Sequence, residues 1–176
     1  MSYRIGIDIG TTSTKAVLYG QNLERLAAAN VGYRIYQDRP GYQEQDPYEI
    51  LGAFKLAVHK VLEQVGEKRK DVGLISFSGA MHSLILVDDM GRALTRSIIW
   101  SDNRSVPEVE EFRKKEDWLS HYKNTGTPIH SMSPFFKLRW LKNHTDLLDR
   151  TYKAIGIKEF IIHELTGVYM MDYSTA

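Results

Sequence analysis

Residues 4–36 alternate short apolar runs with small polar turns: Arg4-Ile5-Gly6-Ile7-Asp8-Ile9, the turn Gly10-Thr11-Thr12-Ser13, then Thr14-Lys15-Ala16-Val17-Leu18. Runs of that length predict three strands in a meander, with Gly20-Gln21-Asn22 turning the second strand into a third that continues through Val31 to Tyr36. Residues 37–45 read as a loop. A helix then starts at Asp46-Pro47-Tyr48-Glu49: Asp46 caps it, Pro47 takes the first helical position and Glu49 completes a capping box. Ile50, Phe54, Ala57, Val58, Val61, Leu62 and Val65 follow at helical spacing until Gly66 stops the run. Residues 72–77 predict a short buried strand. Residues 84–87, the turn Asp88-Asp89-Met90-Gly91 and residues 97–100 predict a hairpin. Strands, a helix and further strand in this order suit a mixed α/β sheet.

The second half is more helical. Residues 106–118 form a charged amphipathic pattern with Val109, Phe112 and Leu119 on its inner face. Ser133-Pro134 starts another helix, with Phe136, Trp140 and Leu141 inward, and residues 158–165 make a third that ends at Gly167. No repeat or linker separates the halves, and residues 169–176 lack a closing element, as in a truncated chain. A formal charge of +1 gives no electrostatic case for nucleic acid or an anionic membrane. The absence of cysteine excludes disulfides, thiolate metal sites and cysteine nucleophiles. The longest apolar stretch, residues 72–87, is broken by Ser76, Ser78, His82 and Ser83 and falls short of the about 20 residues a membrane span needs. With no secretory signal pattern either, the expectation is a cytoplasmic protein.

Candidate chemistry starts at the first turn. Gly10 lets backbone approach an anion closely, and the amides and hydroxyls of Thr11, Thr12 and Ser13 can donate to phosphate oxygens. Asp8 would repel a bare phosphate, so it calls for a hard cation such as Mg²⁺ between them. Lys15 is either a counter-charge or a solvated strand lysine. A hairpin whose threonines merely favour strand and turn is the plainer alternative. Met81-His82 follows a strand end, where α/β ligands gather, although a histidine satisfied in the core fits the residues alone. Trp100 offers an apolar face and Asp102 and Arg104 offer polar contacts, or they are a structural tryptophan beside a surface ion pair. Glu44 and Gln45 contact a ligand or simply precede the Asp46 cap. Asp172 either helps order the segment that follows it or is a turn-forming aspartate, and Phe135, Phe136 and Trp140 read as helix packing.

In order along the chain, five segments resemble the FGGY family of carbohydrate kinases. They are the Asp8–Lys15 turn, Gly41-Tyr42-Gln43-Glu44-Gln45-Asp46-Pro47, Ser78-Gly79-Ala80-Met81-His82 (with Ala80 where glutamine is usual), Trp100-Ser101-Asp102-Asn103-Arg104, and Leu165-Thr166-Gly167 with Asp172-Tyr173-Ser174-Thr175-Ala176. The resemblance implies an actin-like, ribonuclease-H-like α/β fold, a mixed sheet with flanking helices. It makes residues 1–176 the N-terminal sugar- and phosphate-binding lobe, incomplete at its C-terminal end, with the adenosine-binding lobe absent. It implies transfer of the ATP γ-phosphoryl group to a hydroxyl of a sugar or sugar acid, with ATP and Mg²⁺ as cofactors. The general base lies beyond Ala176 on this view, so residues 1–176 hold no catalytic residue and are inactive alone.

Residue by residue, the resemblance gives phosphate binding to Gly10, Thr11, Thr12, Ser13 and Lys15, metal binding to Asp8, and substrate binding to Met81, His82, Trp100, Asp102, Arg104 and Glu44. Met81-His82-Ser83-Leu84, Ile157-Lys158-Glu159-Phe160 and Asp172-Tyr173-Ser174 are more similar to gluconate kinases than to xylulose kinases, which carry glycine where Ser83 stands. A carboxylate substrate calls for cationic or hydrogen-bonding groups, for which Arg104, Lys158 and His82 are candidates. The expected partners are a small sugar or sugar acid and, in assembly, a homodimer. An actin- or chaperone-like ATPase lobe shares the phosphate turn but gives no account of Met81-His82 or Trp100-Ser101-Asp102. A non-catalytic sugar-binding remnant is the other alternative.

Overall fold

The computed structural model describes residues 3–115 and 117–173. Its strands are β1 (Tyr3–Ile9), β2 (Ser13–Tyr19), β3 (Arg25–Gly32), β4 (Glu44–Gln45), β5 (Val72–Gly79), β6 (Ile85–Val87), β7 (Ser97–Ile98) and β8 (Lys153–Ile155). Its helices are α1 (Pro47–Gln64), α2 (Val106–Lys115), α3 (Trp118–Thr125), α4 (Pro134–His144) and α5 (Ile157–Thr166). They fall into two units, Met1–Arg34 with Asp46–Ala80, and Ile35–Gln45 with Met81–Ala176.

The first unit is a sheet of order β3-β2-β1-β5. Alternation along β1 buries Ile5, Ile7 and Ile9 and leaves Arg4 and Asp8 exposed, while β2 buries Ala16 and Leu18. α1 covers this sheet with Ile50, Leu51, Ala53, Phe54, Ala57 and Val61, all buried, and Phe54 meets Phe77 edge to face at 5.3 Å. The predicted N-cap holds: the Asp46 side chain accepts from Tyr48 N at 2.8 Å, and Pro47 takes the first helical position. The meander is antiparallel as expected, with Asp8 opposite Lys15. Two expectations change. β3 ends at Gly32, because Tyr36 pairs instead with Glu44 in the second unit. The strand at residues 72–77 is not buried: β5 lies at the edge, hydrogen-bonded only to β1 among the described residues, so Leu74 and Ile75 remain 52% and 45% exposed.

In the second unit the predicted turn at residues 88–91 is present, with Gly91 at φ 79° and Asp88 accepting from Met90 N and Arg92 N. The strands beside it pair elsewhere: β6 with β8 and β7 with β4, leaving single bridges Val87–Ala93 and Leu84–Ile98. Leu84, Leu86, Ile98 and Leu141 form one core cluster; Val109, Phe112, Ile129 and Phe136 form another. The helix expected over residues 106–118 is two helices. Asp117 caps α3 by accepting from Ser120 N at 3.1 Å, and Gly126 ends it at φ 67°. Leu119, expected inward, is therefore on α3 and exposed. α5 ends at Gly167 as predicted. The predicted Ser174-Thr175-Ala176 segment lies outside the described residues. Among the described residues no helix is long and apolar enough to cross a membrane.

Candidate functional site

The first cluster is the turn between β1 and β2. Gly10 N donates to Ser13 O at 3.0 Å, and a Cβ on Gly10 would meet that oxygen at 3.2 Å and Asp8 Oδ2 at 3.8 Å. Glycine therefore keeps the turn tight beside the carboxylate. Asp8 is exposed at the end of β1, with Ser78 Oγ 3.5 Å from its Oδ1 and Lys15 opposite it in register. Thr12 and Lys15 are exposed, and Thr11 and Ser13 half-buried. Tyr33, which sequence reasoning passed over, closes the turn from below. Its hydroxyl donates to Gly10 O at 2.5 Å and its N–H to Thr12 O at 3.2 Å. Burial raises the Tyr33 pKa, with the Asp8 carboxylate adding to the rise and Thr14 opposing it, so the phenol stays a proton donor. One exposed carboxylate beside hydroxyls fits Mg²⁺, which keeps several waters and needs only one or two protein carboxylates.

The second cluster is ionic and buried. Asp102 is 0% exposed, and its two oxygens accept from Gln43 N, Arg104 N, Arg104 Nε and an Arg104 terminal nitrogen at 2.7–3.0 Å. Arg104 reaches on to Glu44 Oε1 at 2.6 Å and lies over the Tyr42 ring at 3.8 Å. Burial works against the Arg104 charge, yet hydrogen bonds to Asp102 and Glu44 outweigh it and raise its pKa. Sequence reasoning gave Asp102 and Arg104 to the ligand. The structure turns both inward: Arg104 aligns Glu44, and Asp102 holds Arg104 and the backbone of Gln43.

Met81 and Trp100 are 57% and 49% exposed, whereas His82 is half-buried at φ 63°, a left-handed backbone. Burial, and then the charge of Lys137, lowers the His82 pKa. The imidazole is therefore neutral near pH 7 and can both donate and accept. Lys158 is held by Asp172 and lies 3.7 Å from Glu159. Lys137 was not singled out from the sequence. It is fully buried on α4 and donates to the carbonyls of His82, Ile98 and Ile99. The signal was its spacing: Ser133, Lys137 and Leu141 lie four apart, and all three are buried.

Solved sugar kinases share this fold. The gluconate kinase from Lactobacillus acidophilus superposes at TM-score 0.94 and 37% identity, covering 99% of this chain and 35% of that one. Residues 3–176 match the model of the FGGY family of carbohydrate kinases, N-terminal domain. The chain belongs to that family, and the actin-like, ribonuclease-H-like expectation for its fold holds. A gluconokinase from Bacillus subtilis (strain 168) is 42% identical over 99% of this chain. A xylulose kinase from Staphylococcus xylosus is 33% identical over 100% of it. The chain spans only 34% and 36% of the lengths of those two relatives.

Proposed function

We propose that residues 1–176 are the N-terminal, sugar- and phosphate-binding part of a gluconate kinase. The complete protein would transfer the ATP γ-phosphoryl group to a gluconate hydroxyl, with the general base and the adenosine pocket lying beyond Ala176. The observation that carries this reading is the 42% identity to a gluconokinase over nearly the whole chain, against 33% for a xylulose kinase. Asp8 would hold Mg²⁺, which when bound supplies charge stabilisation to the transferring phosphoryl group. The Gly10–Ser13 turn offers N–H and hydroxyl donors to phosphate oxygens, and Lys15 adds positive charge. In the second unit, neutral His82 exchanges hydrogen bonds with substrate, Met81 and Trp100 offer apolar surface, and Arg104 presents the Glu44 carboxylate to hydroxyls. Arg104 and Lys158 already face protein carboxylates, so we assign the gluconate carboxylate to His82.

Xylulose phosphorylation is the second reading, favoured by the family likeness that also runs the length of the chain. A coupled ADP-release assay of the complete protein on gluconate, xylulose, ribulose and glycerol separates them, with residues 1–176 assayed alongside. The expected result is the highest kcat/KM on gluconate and no turnover by residues 1–176, because groups that act as a unit fail together. A preference for xylulose would replace the substrate, activity on none would overturn the kinase reading, and turnover by residues 1–176 would overturn the placement of the base.

A further inference from the structure

The most unusual buried group outside the ion cluster is Lys137. Lysine is almost never fully buried unless paired, and here the ammonium is satisfied by three backbone carbonyls. Nζ donates to His82 O at 2.5 Å, Ile99 O at 2.9 Å and Ile98 O at 3.2 Å. Each acceptor belongs to a segment that carries a substrate residue. Ile98 O also accepts from Leu84 N at 2.9 Å, and Ile99 O accepts from Asp102 N at 3.1 Å, closing the turn that displays Trp100. The His82 backbone is left-handed, at φ 63°, a conformation that a side-chain-bearing residue keeps only where its surroundings impose it. Lys137 is the side chain bonded to that residue's carbonyl.

We infer that Lys137 is a positioning residue of the substrate site. By binding the carbonyls of His82, Ile98 and Ile99 together, it fixes the left-handed backbone of His82 and the turn carrying Trp100. This role rests on the proposed kinase reading. It predicts that Lys137 governs the affinity and ranking of sugars and leaves ATP handling alone. A lysine that only filled the core would lower stability and change neither.

The test uses the complete protein carrying Lys137→Met or Lys137→Gln. Glutamine retains two donors and is the variant to read where methionine does not fold. Val61→Ala, a buried change in α1, serves as the control for lost stability. Steady-state kinetics across the sugar panel are combined with a crystal structure of the Lys137→Gln protein. The expected result is a rise in sugar KM of about tenfold or more, a changed sugar ranking and an unchanged ATP KM. The crystal structure should show His82 out of the left-handed region, while Val61→Ala keeps wild-type KM and ranking. A folded, active Lys137→Gln enzyme with His82 still left-handed and sugar KM and ranking unchanged would overturn the role of Lys137 alone. A complete protein that phosphorylates no sugar would overturn the kinase reading and this role with it.

Discussion

The Asp102 carboxylate accepts four protein hydrogen bonds and neutralises an arginine whose side chain is only 4% exposed. Removing it leaves a buried guanidinium paired with Glu44 and strips a partner from Gln43 N. Breaking a buried pair in this way costs about 3–5 kcal/mol, so Asp102→Asn should lower unfolding stability by roughly that amount. Urea denaturation measures it. A variant within about 1 kcal/mol of wild type would return Asp102 to the substrate, where a polar change on an open surface has little effect on folding. Lys137 adds a pH dependence. Burial lowers its pKa from 10.5 to about 7, with Asp102 opposing and Arg104 adding, and His82 is the other titratable group against it. Between those values the unfolded chain binds a proton that the native amine releases, so the three donors Nζ offers the carbonyls below about pH 7 fall to two above it. The group's contribution to stability therefore grows as pH climbs from about 7 towards 10.5 and is lost as pH falls through about 7. Urea midpoints of wild type should rise relative to Lys137→Met over that interval. Parallel curves would mean that Lys137 keeps its proton throughout.

Elements were legible in the sequence where the signal was local. Asp46, Pro47 and Glu49 announce α1 within one turn, and the run from Asp8 to Lys15 gives strand, turn and strand without reference to anything distant. Pairing was not local. β7 bonds to β4, two residues long and some fifty positions earlier in the chain, and β6 bonds to β8, near its other end, so the hairpin turn was foreseen but its ladder was not. The break between α2 and α3 depends on Asp117 acting as a cap, which an amphipathic pattern running straight through it conceals. The candidate site divides in the same way. Asp8, His82 and Trp100 carry motif signatures. Tyr33 and Lys137 act through backbone carbonyls that sequence spacing does not reveal, and Asp102 and Arg104 revealed their inward direction only once burial was known.

At the scale of the whole molecule, the chain belongs to the FGGY family by its match to that family's N-terminal domain, and it is about a third as long as the curated relatives it matches. Its two units hold different chemistry. The acid-and-hydroxyl turn lies in the first, and His82, Trp100 and the Glu44–Arg104–Asp102 cluster lie in the second. On the proposed reading, the first handles phosphate and the second reads the sugar. Steady-state kinetics of Asp8→Asn and His82→Ala in the complete protein, varying sugar and ATP in turn, test it most directly. Asp8→Asn removes the charge proposed to hold the metal and should lower kcat while sugar KM stays near wild type. His82→Ala leaves a substrate hydrogen-bonding group unpaired, a loss of about 1–3 kcal/mol, and should raise sugar KM roughly five- to 150-fold with ATP KM unchanged. Two variants that shift the same parameter together, or an Asp8→Asn enzyme with normal turnover, would contradict the account.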